Sequence, residues 1–168
     1  SSEAASLAGH LKLDELIVFY DDNSISIEGN TSCAFSEDVA KRFEAFGWRI
    51  IRCDNANDAT LCDAALAEAV VSDGRPTLII GKTEIGYGAP NKQGKASAHG
   101  EPLGEDEIKA LRENLKYTAA PFTVADDVRA FCDARVNELV ADAAKWDAEF
   151  QAYLDADAAR AEVINSYI

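Results

Sequence analysis

No methionine occurs anywhere in the 168 residues, not even at the first position. The chain opens instead on SSEAASLAGHLKL, where Ala4, Leu7, Ala8 and Leu11 already recur at helical spacing. The expectation is a polypeptide that begins inside a domain. The alternative, a processed N-terminus, ordinarily leaves a flexible lead-in and not a helix. No apolar run approaches the roughly 20 residues needed to cross a bilayer, so a soluble chain without a membrane partner is expected. Four cysteines, Cys33, Cys53, Cys62 and Cys132, show no C-x-x-C spacing, and no secretory signal precedes them. Free or buried thiols in a reducing compartment are expected, not a disulfide framework or a zinc site. Positive charge is scarce: 16 Lys and Arg against 30 Asp and Glu give a net charge of -14. That balance excludes general binding to nucleic acid or anionic lipid, and an anionic substrate needs a local exception to it. Walker-type loops, G-x-S-x-G elbows and H-E-x-x-H helices are also absent, which removes the common nucleotide, esterase and zinc-protease readings.

What is present is the composition of a folded soluble protein, 48% hydrophobic with aromatics spread along the chain. The length suits one domain with a core, plus a helical appendage. After the opening helix, Leu16 to Tyr20 is a short continuous apolar run, the sign of a strand covered on both faces. Ser36 opens a helix, SEDVAKRFEAFG, with Val39, Ala40, Phe43 and Phe46 on one face and Gly47 as its stop. WRIIRC, from Trp48 to Cys53, predicts a second strand. Asp58 to Ser72 predicts a helix closed by Gly74, and Pro76 introduces a third strand, PTLIIGKT. This alternation predicts an α/β fold, a doubly wound, mostly parallel sheet with flanking helices, in which ligands gather at the carboxyl ends of the strands. Asp21-Asp22-Asn23 and the segment after Thr83 lie at such ends. The stretch from Ile85 to Gly104 has five glycines and no period, so it reads as a functional or disordered loop. EDEIKALRENLKY is helical again. Beyond TAAPFT, a long helical stretch runs from Ala125 towards Ile168, with Trp146, Phe150, Tyr153 and Leu154 at a spacing that packs on a body or partner.

Few residues can carry chemistry. Asn23 offers an amide oxygen, and Ile25 a backbone carbonyl where the strand breaks; both suit Mg²⁺ or Ca²⁺, which prefer oxygen. Spacing alone favours a plain polar turn at Asp22 and Asn23. His99 and His10 are the two histidines. His99, in the glycine-rich loop, could donate to a phosphate or exchange protons with a hydroxyl, although spacing alone favours an ordinary loop histidine. His10 reads as structural. Gly86-Tyr87 and Gly88-Ala89 let backbone approach a ligand closely.

SSEAASLAGHLKL, FYDDNSISIEGN, KRFEAFGW, KTEIGYGAPNK and SAHGEPLG, in this order and spacing, closely resemble the thiamine-diphosphate-binding domain of transketolase. The likeness is strong from Ser1 to Tyr117 and looser from Pro121 to Ile168. It implies a partial cofactor domain over residues 1–120 and a helical linker over 121–168 that leads to a second domain. By resemblance, Asn23 and the carbonyl of Ile25 hold the metal, Asn23, Ile85 and His99 bind the cofactor, and His99 is the catalytic group at the substrate oxygens. The family's Gly-Asp-Gly segment, source of the metal-binding Asp, is expected upstream of Ser1. The second domain's Glu, which activates the cofactor, is expected from a partner subunit.

The activity so implied is ketol transfer. The C2–C3 bond of a ketose phosphate is cleaved and the two-carbon unit passes to an aldose phosphate, with thiamine diphosphate and Mg²⁺ or Ca²⁺ as cofactors. Partners by resemblance are sugar phosphates, the rest of the enzyme chain and a second subunit of a homodimer. The segment alone is expected to be inactive. A dihydroxyacetone synthase-like transfer to formaldehyde, and a non-catalytic subunit that does not bind cofactor by itself, are the alternatives. Cytoplasm is the expected compartment, and a plastid suits the same chemistry.

Overall fold

The computed structural model describes Ser1 to Tyr167. The chain divides into two compact units, one from Ser1 to Tyr117 and the other from Thr118 onward. In the first, helix α1 (Ser2–His10) leads into strand β1 (Ile17–Asp22), a two-residue hairpin of β2 (Ile25–Ser26) and β3 (Gly29–Asn30), and helix α2 (Val39–Ala45). Strand β4 (Arg49–Cys53), helix α3 (Ala59–Ala69), strand β5 (Thr77–Lys82) and helix α4 (Glu105–Asn114) follow. The sheet is β1-β5-β4, parallel throughout, so β5 enters last and sits in the middle.

Side chains alternate along β5, which fixes which helix covers which face. Leu78 and Ile80 point to one side, where they meet Ala5, Ala8, Ala40 and Trp48. Ile79 points to the other and meets Ile51, Cys53, Ala65 and Ala69. The mixed α/β architecture agrees with the sequence reading, but burial on both faces belongs to β5 and not to β1. Residues Thr77 to Ile80 of β5, the strand paired on both sides, are all buried, whereas Phe19 in β1 is 41% exposed.

Local choices also differ from the expected ones. On α1 the buried residues are Ala5 and Ala8, while Leu7 and Leu11 are exposed. The helix needs small residues there because it lies against backbone: a Cβ at Gly9 would stand 1.7 Å from the Phe46 carbonyl oxygen. Trp48 Nε1 donates to the Ala5 carbonyl at 2.8 Å, which satisfies the buried indole N–H. Helix α2 starts after Asp38, not at Ser36, because the Asp38 carboxylate accepts from Lys41 N at 3.1 Å and so caps the first turn. Helix α3, expected from Asp58 to Ser72, starts after Asp58, whose carboxylate caps it through Thr60 N at 2.8 Å, and ends at Ala69, ahead of the expected stop at Gly74.

In the second unit the stretch expected as one long helix is two, α5 (Asp126–Asp155) and α6 (Ala158–Asn165). Asp157 ends the first by capping the second, accepting from Ala159 N and Arg160 N. Arg160 then ties them together, donating to the Tyr153 carbonyl at 2.8 Å and covering the Tyr153 ring at 3.9 Å. Trp146 and Phe150 stack on each other at 4.9 Å along α5. Among the described residues, no helix is long and apolar enough to cross a membrane.

Candidate functional site

The parallel register places Asp21 opposite Gly81 and Asp22 opposite Lys82, so the carboxyl ends of β1 and β5 finish side by side. Immediately beyond, Ser24 takes φ 62°, which turns the chain sharply into the hairpin. Inside this turn the Asn23 amide is oriented from both ends. Its Nδ2 donates to Asp21 Oδ2 at 3.3 Å, and its Oδ1 accepts from Ile25 N at 2.9 Å. One donor end and one acceptor end fix which way the amide faces. Thr83 Oγ1 donates to the other Asp21 oxygen. Lys82 Nζ reaches Ser24 Oγ at 2.6 Å and Asp22 Oδ2 at 3.4 Å.

Ile25 lies in the hairpin opposite Asn30. The flanking bond from Thr31 N to the Ser24 carbonyl, at 2.9 Å, marks 24–31 as a hydrogen-bonded pair. Alternation then puts Ile25 at a non-hydrogen-bonded position, where its backbone groups face away from the opposite strand. Its N–H duly goes to Asn23, and its carbonyl stands outside the ladder. The turn thus brings together an amide oxygen and a carbonyl oxygen, both neutral. Negative charge comes from Asp21 and Asp22 close by. Tyr20 registers it: burial first, then the Asp22 and Asp21 carboxylates, push its phenol above the usual range. Among the described residues, no three His, Cys, Asp or Glu side chains are grouped to hold a metal ion, so a cation at these oxygens needs further ligands.

Ile85 and His99 occupy a second loop, after β5. Ile85 is half-buried and its carbonyl accepts from Gly94 N at 2.8 Å. His99 is exposed at the end of a short 3-10 turn, Ala96–Ala98. The two ends of the loop meet where Gly86 faces Ala98: a Cβ on Gly86 would lie 3.0 Å from that of Ala98. The loop is ordered by its own bonds. Gly88 N donates to Gln93 Oε1 at 2.6 Å, Gln93 N to the Ala89 carbonyl at 2.9 Å, and Gln93 Nε2 to Glu84. Gly88 needs to be glycine because of its φ of 86°, and a Cβ there would also stand 2.9 Å from a Leu115 methyl and 3.0 Å from one of Leu111. Asp54, Asn55, Asn57, Lys82, Thr83, Glu84 and Tyr87 line a cleft of about 370 Å³ at the ends of β4 and β5.

Two anchors have no counterpart in the sequence reading. Lys82 holds the Asn23 turn from a strand 60 residues away, a link that only the β1–β5 register creates. Glu107 of α4 is 8% exposed, and its carboxylate accepts from Asn91 N at 2.8 Å, Asn91 Nδ2 at 2.9 Å and Lys92 N at 3.2 Å. The Asn91 side chain first, and then the two backbone N–H groups, hold this carboxyl below the usual range against the opposing effect of burial. The weak available signal is its place in the first turn of a marked helix. His10 is exposed at the C-terminal end of α1, where a histidine suits the helix dipole.

These features define an α/β domain with parallel strands that carries an oxygen-lined turn after β1 and a glycine-rich histidine loop after β5; the cleft at the ends of β4 and β5 is lined by neither Asn23 nor His99. The family described as transketolase, thiamine diphosphate binding domain, matches residues 1–168, and the chain belongs to it. Transketolase 1 of Vibrio cholerae is 48% identical over 161 residues, which cover 96% of this chain and 24% of that protein. The transketolase of Geobacillus stearothermophilus is 49% identical over 155 residues, 91% of this chain and 23% of that protein. A chloroplastic Arabidopsis thaliana transketolase is 47% identical over 154 residues, 91% of this chain and 21% of that protein. Among solved structures, a Leishmania mexicana transketolase superposes with a TM-score of 0.86 at 38% identity, covering 94% of this chain and 24% of that one. A Pichia stipitis transketolase in complex with sedoheptulose 7-phosphate gives 0.85 at 41% identity, covering 92% and 23%. The chain therefore spans about a quarter of the length of the relatives it matches.

Proposed function

We propose that this chain is the segment of a transketolase that holds the diphosphate side of thiamine diphosphate, in an enzyme that moves a two-carbon ketol unit from a ketose phosphate to an aldose phosphate. The observation that carries the reading is the Asn23 turn, in which Asp21 and Ile25 N fix the amide while its oxygen and the Ile25 carbonyl offer hard, neutral donors. Such donors suit Mg²⁺ or Ca²⁺ when phosphate oxygens and a carboxylate complete the shell. When bound, the cofactor supplies the nucleophilic carbon and the electron sink for C2–C3 cleavage. The chain's own residues position and protonate. Asn23 and Ile25 hold the cation, Ile85 offers an apolar surface to the cofactor, and the exposed His99 imidazole donates to and takes protons from oxygens that change charge.

The same reading treats residues 1–120 as part of the cofactor domain and 121–168 as a linker to a second domain, with the active site completed by a second subunit of a homodimer. Cytoplasm is the proposed compartment, with a plastid as the alternative that the plant relative's name suggests. The test uses the full-length enzyme. Calorimetric titration of Asn23→Ala with thiamine diphosphate and Mg²⁺ is expected to give affinity at least about tenfold weaker, the scale of one lost inner ligand or its support. Unchanged affinity removes Asn23 from the metal site and sinks the reading.

A further inference from the structure

We propose that Glu107 is a positioning residue for the loop that carries Ile85 and His99, and that it acts on turnover only by placing the imidazole. The effect on turnover rests on the function proposed above; the anchoring itself rests on geometry. A carboxylate this buried is costly unless fully bonded. Glu107 is bonded wholly to the loop, through three donors of Asn91 and Lys92.

From that point the loop is built in successive turns towards His99. Lys95 N donates to the Lys92 carbonyl at 3.1 Å, Ala98 N to the Lys95 carbonyl at 3.0 Å, and His99 N to the Ala96 carbonyl at 2.9 Å. A second branch returns from Gly94 N to the Ile85 carbonyl at 2.8 Å. The far end of α4 adds another clamp, Asn114 Nδ2 to the Gly88 carbonyl at 2.8 Å. Helix α4 is therefore a template laid along a segment that has little apolar surface of its own to bury; of its residues 85–99, only Gly88 and Ala89 are buried. Polar bonds must supply what a core would, and Glu107 supplies three from one side chain.

The test is a double-mutant cycle in the full-length enzyme with Glu107→Ala, His99→Ala and the pair, plus Glu107→Gln. Glutamine keeps an oxygen for the two backbone N–H groups, and Asn91 can turn its amide to meet the new N–H₂. Expected are a kcat about tenfold lower in Glu107→Ala, the scale of lost charge-assisted hydrogen bonds, and recovery of most of it in Glu107→Gln. In the His99→Ala background, Glu107→Ala is expected to change kcat by less than about twofold, because residues acting as one unit are not additive. An equal effect in both backgrounds, or equal losses in the Ala and Gln variants, overturns the proposal.

Hydrogen exchange gives a readout independent of activity. The amides of Gly94, Ala98 and His99 are expected to exchange at least about tenfold faster in Glu107→Ala; unaltered rates refute the anchor. Should His99→Ala leave kcat unchanged, the functional reading fails, and exchange alone decides whether Glu107 holds the loop. Asn91→Ala, which removes one of the three bonds, enters the same cycle and exchange measurement if Glu107→Ala does not fold.

Discussion

Lys82 Nζ donates to Ser24 Oγ at 2.6 Å, joining residues 58 positions apart at the ends of two paired strands. Ser24 sits at φ 62°, a conformation that costs an L-residue roughly 1–2 kcal/mol. Ser24→Ala loses the bond and keeps the strain, whereas Ser24→Gly loses the bond and relieves it. In the full-length enzyme the glycine variant is therefore expected to be the more stable by about 1 kcal/mol. Denaturant midpoints at equal slope measure the difference, and an alanine variant as stable as the glycine one would contradict it.

Asp21 steadies the Asn23 amide at 3.3 Å and is itself bonded by Thr83. Removing it frees the amide to rotate and takes a negative charge away from the proposed cation position. Both effects weaken the site. Asp21→Ala is expected to lower Mg²⁺-dependent cofactor affinity by about tenfold, as supporting residues of metal ligands do. Titration at fixed Mg²⁺ reads this directly, and affinity equal to wild type rules the support out.

His99 is exposed at the end of its turn. His99→Ala is expected to lower kcat by about 10²-fold, the lower range for a lost acid–base group, with folding unchanged. Steady-state rates with a ketose phosphate donor and ribose 5-phosphate acceptor check it. A variant that alters KM alone would leave His99 a binding residue. Formaldehyde as acceptor separates transketolase from dihydroxyacetone synthase-like activity in the same assay.

Glu107 has a folded-state pKa below its ordinary value, chiefly because Asn91 donates to the charged form. The unfolded chain then binds more protons than the folded one between the depressed folded value and roughly 4.3. The stability it contributes is fully present above about pH 4.3 and is lost as pH falls through the folded pKa. Thermal melts across that acidic window are expected to fall more steeply for the wild type than for Glu107→Gln. Parallel curves would show that the carboxylate is not the titrating group.

Ile79 is fully buried in the central strand, against Ile51, Cys53, Ala65 and Ala69. Truncation leaves a cavity between β5 and α3 that the sheet backbone cannot close. Ile79→Ala is expected to cost about 2–5 kcal/mol, measured by denaturant unfolding. A cost under about 1 kcal/mol would show that the site collapses.

The order of helices and strands, and hence the parallel α/β class, was determined by sequence alone, because apolar periodicity and start signals such as Asp58 are local; the expected stop at Gly74 was not used, since α3 already ends at Ala69. The motif series around Asn23 and His99 also pointed to the family, since it is read from residue identity and spacing. Where a helix begins within two residues was not legible: Ser36 and Asp38 both offer a capping oxygen, and the chain uses Asp38. The expected leucine face of α1 gave way to Ala5 and Ala8 for a reason no local pattern carries, the close approach of Gly9 to the Phe46 carbonyl.

Tertiary structure decided how the candidate site is held. The insertion of β5 beside β1 sets Lys82 against Ser24 and Thr83 against Asp21, bonds that span about 60 residues and exist only in that register. The fold of α4 against its loop turns Glu107, an ordinary first-turn acid in the sequence, into a buried carboxylate with three donors. Sequence fixes which groups are available, because that is a matter of composition and spacing. Which groups meet depends on strand register and helix docking, and these are set by burial across the whole sheet.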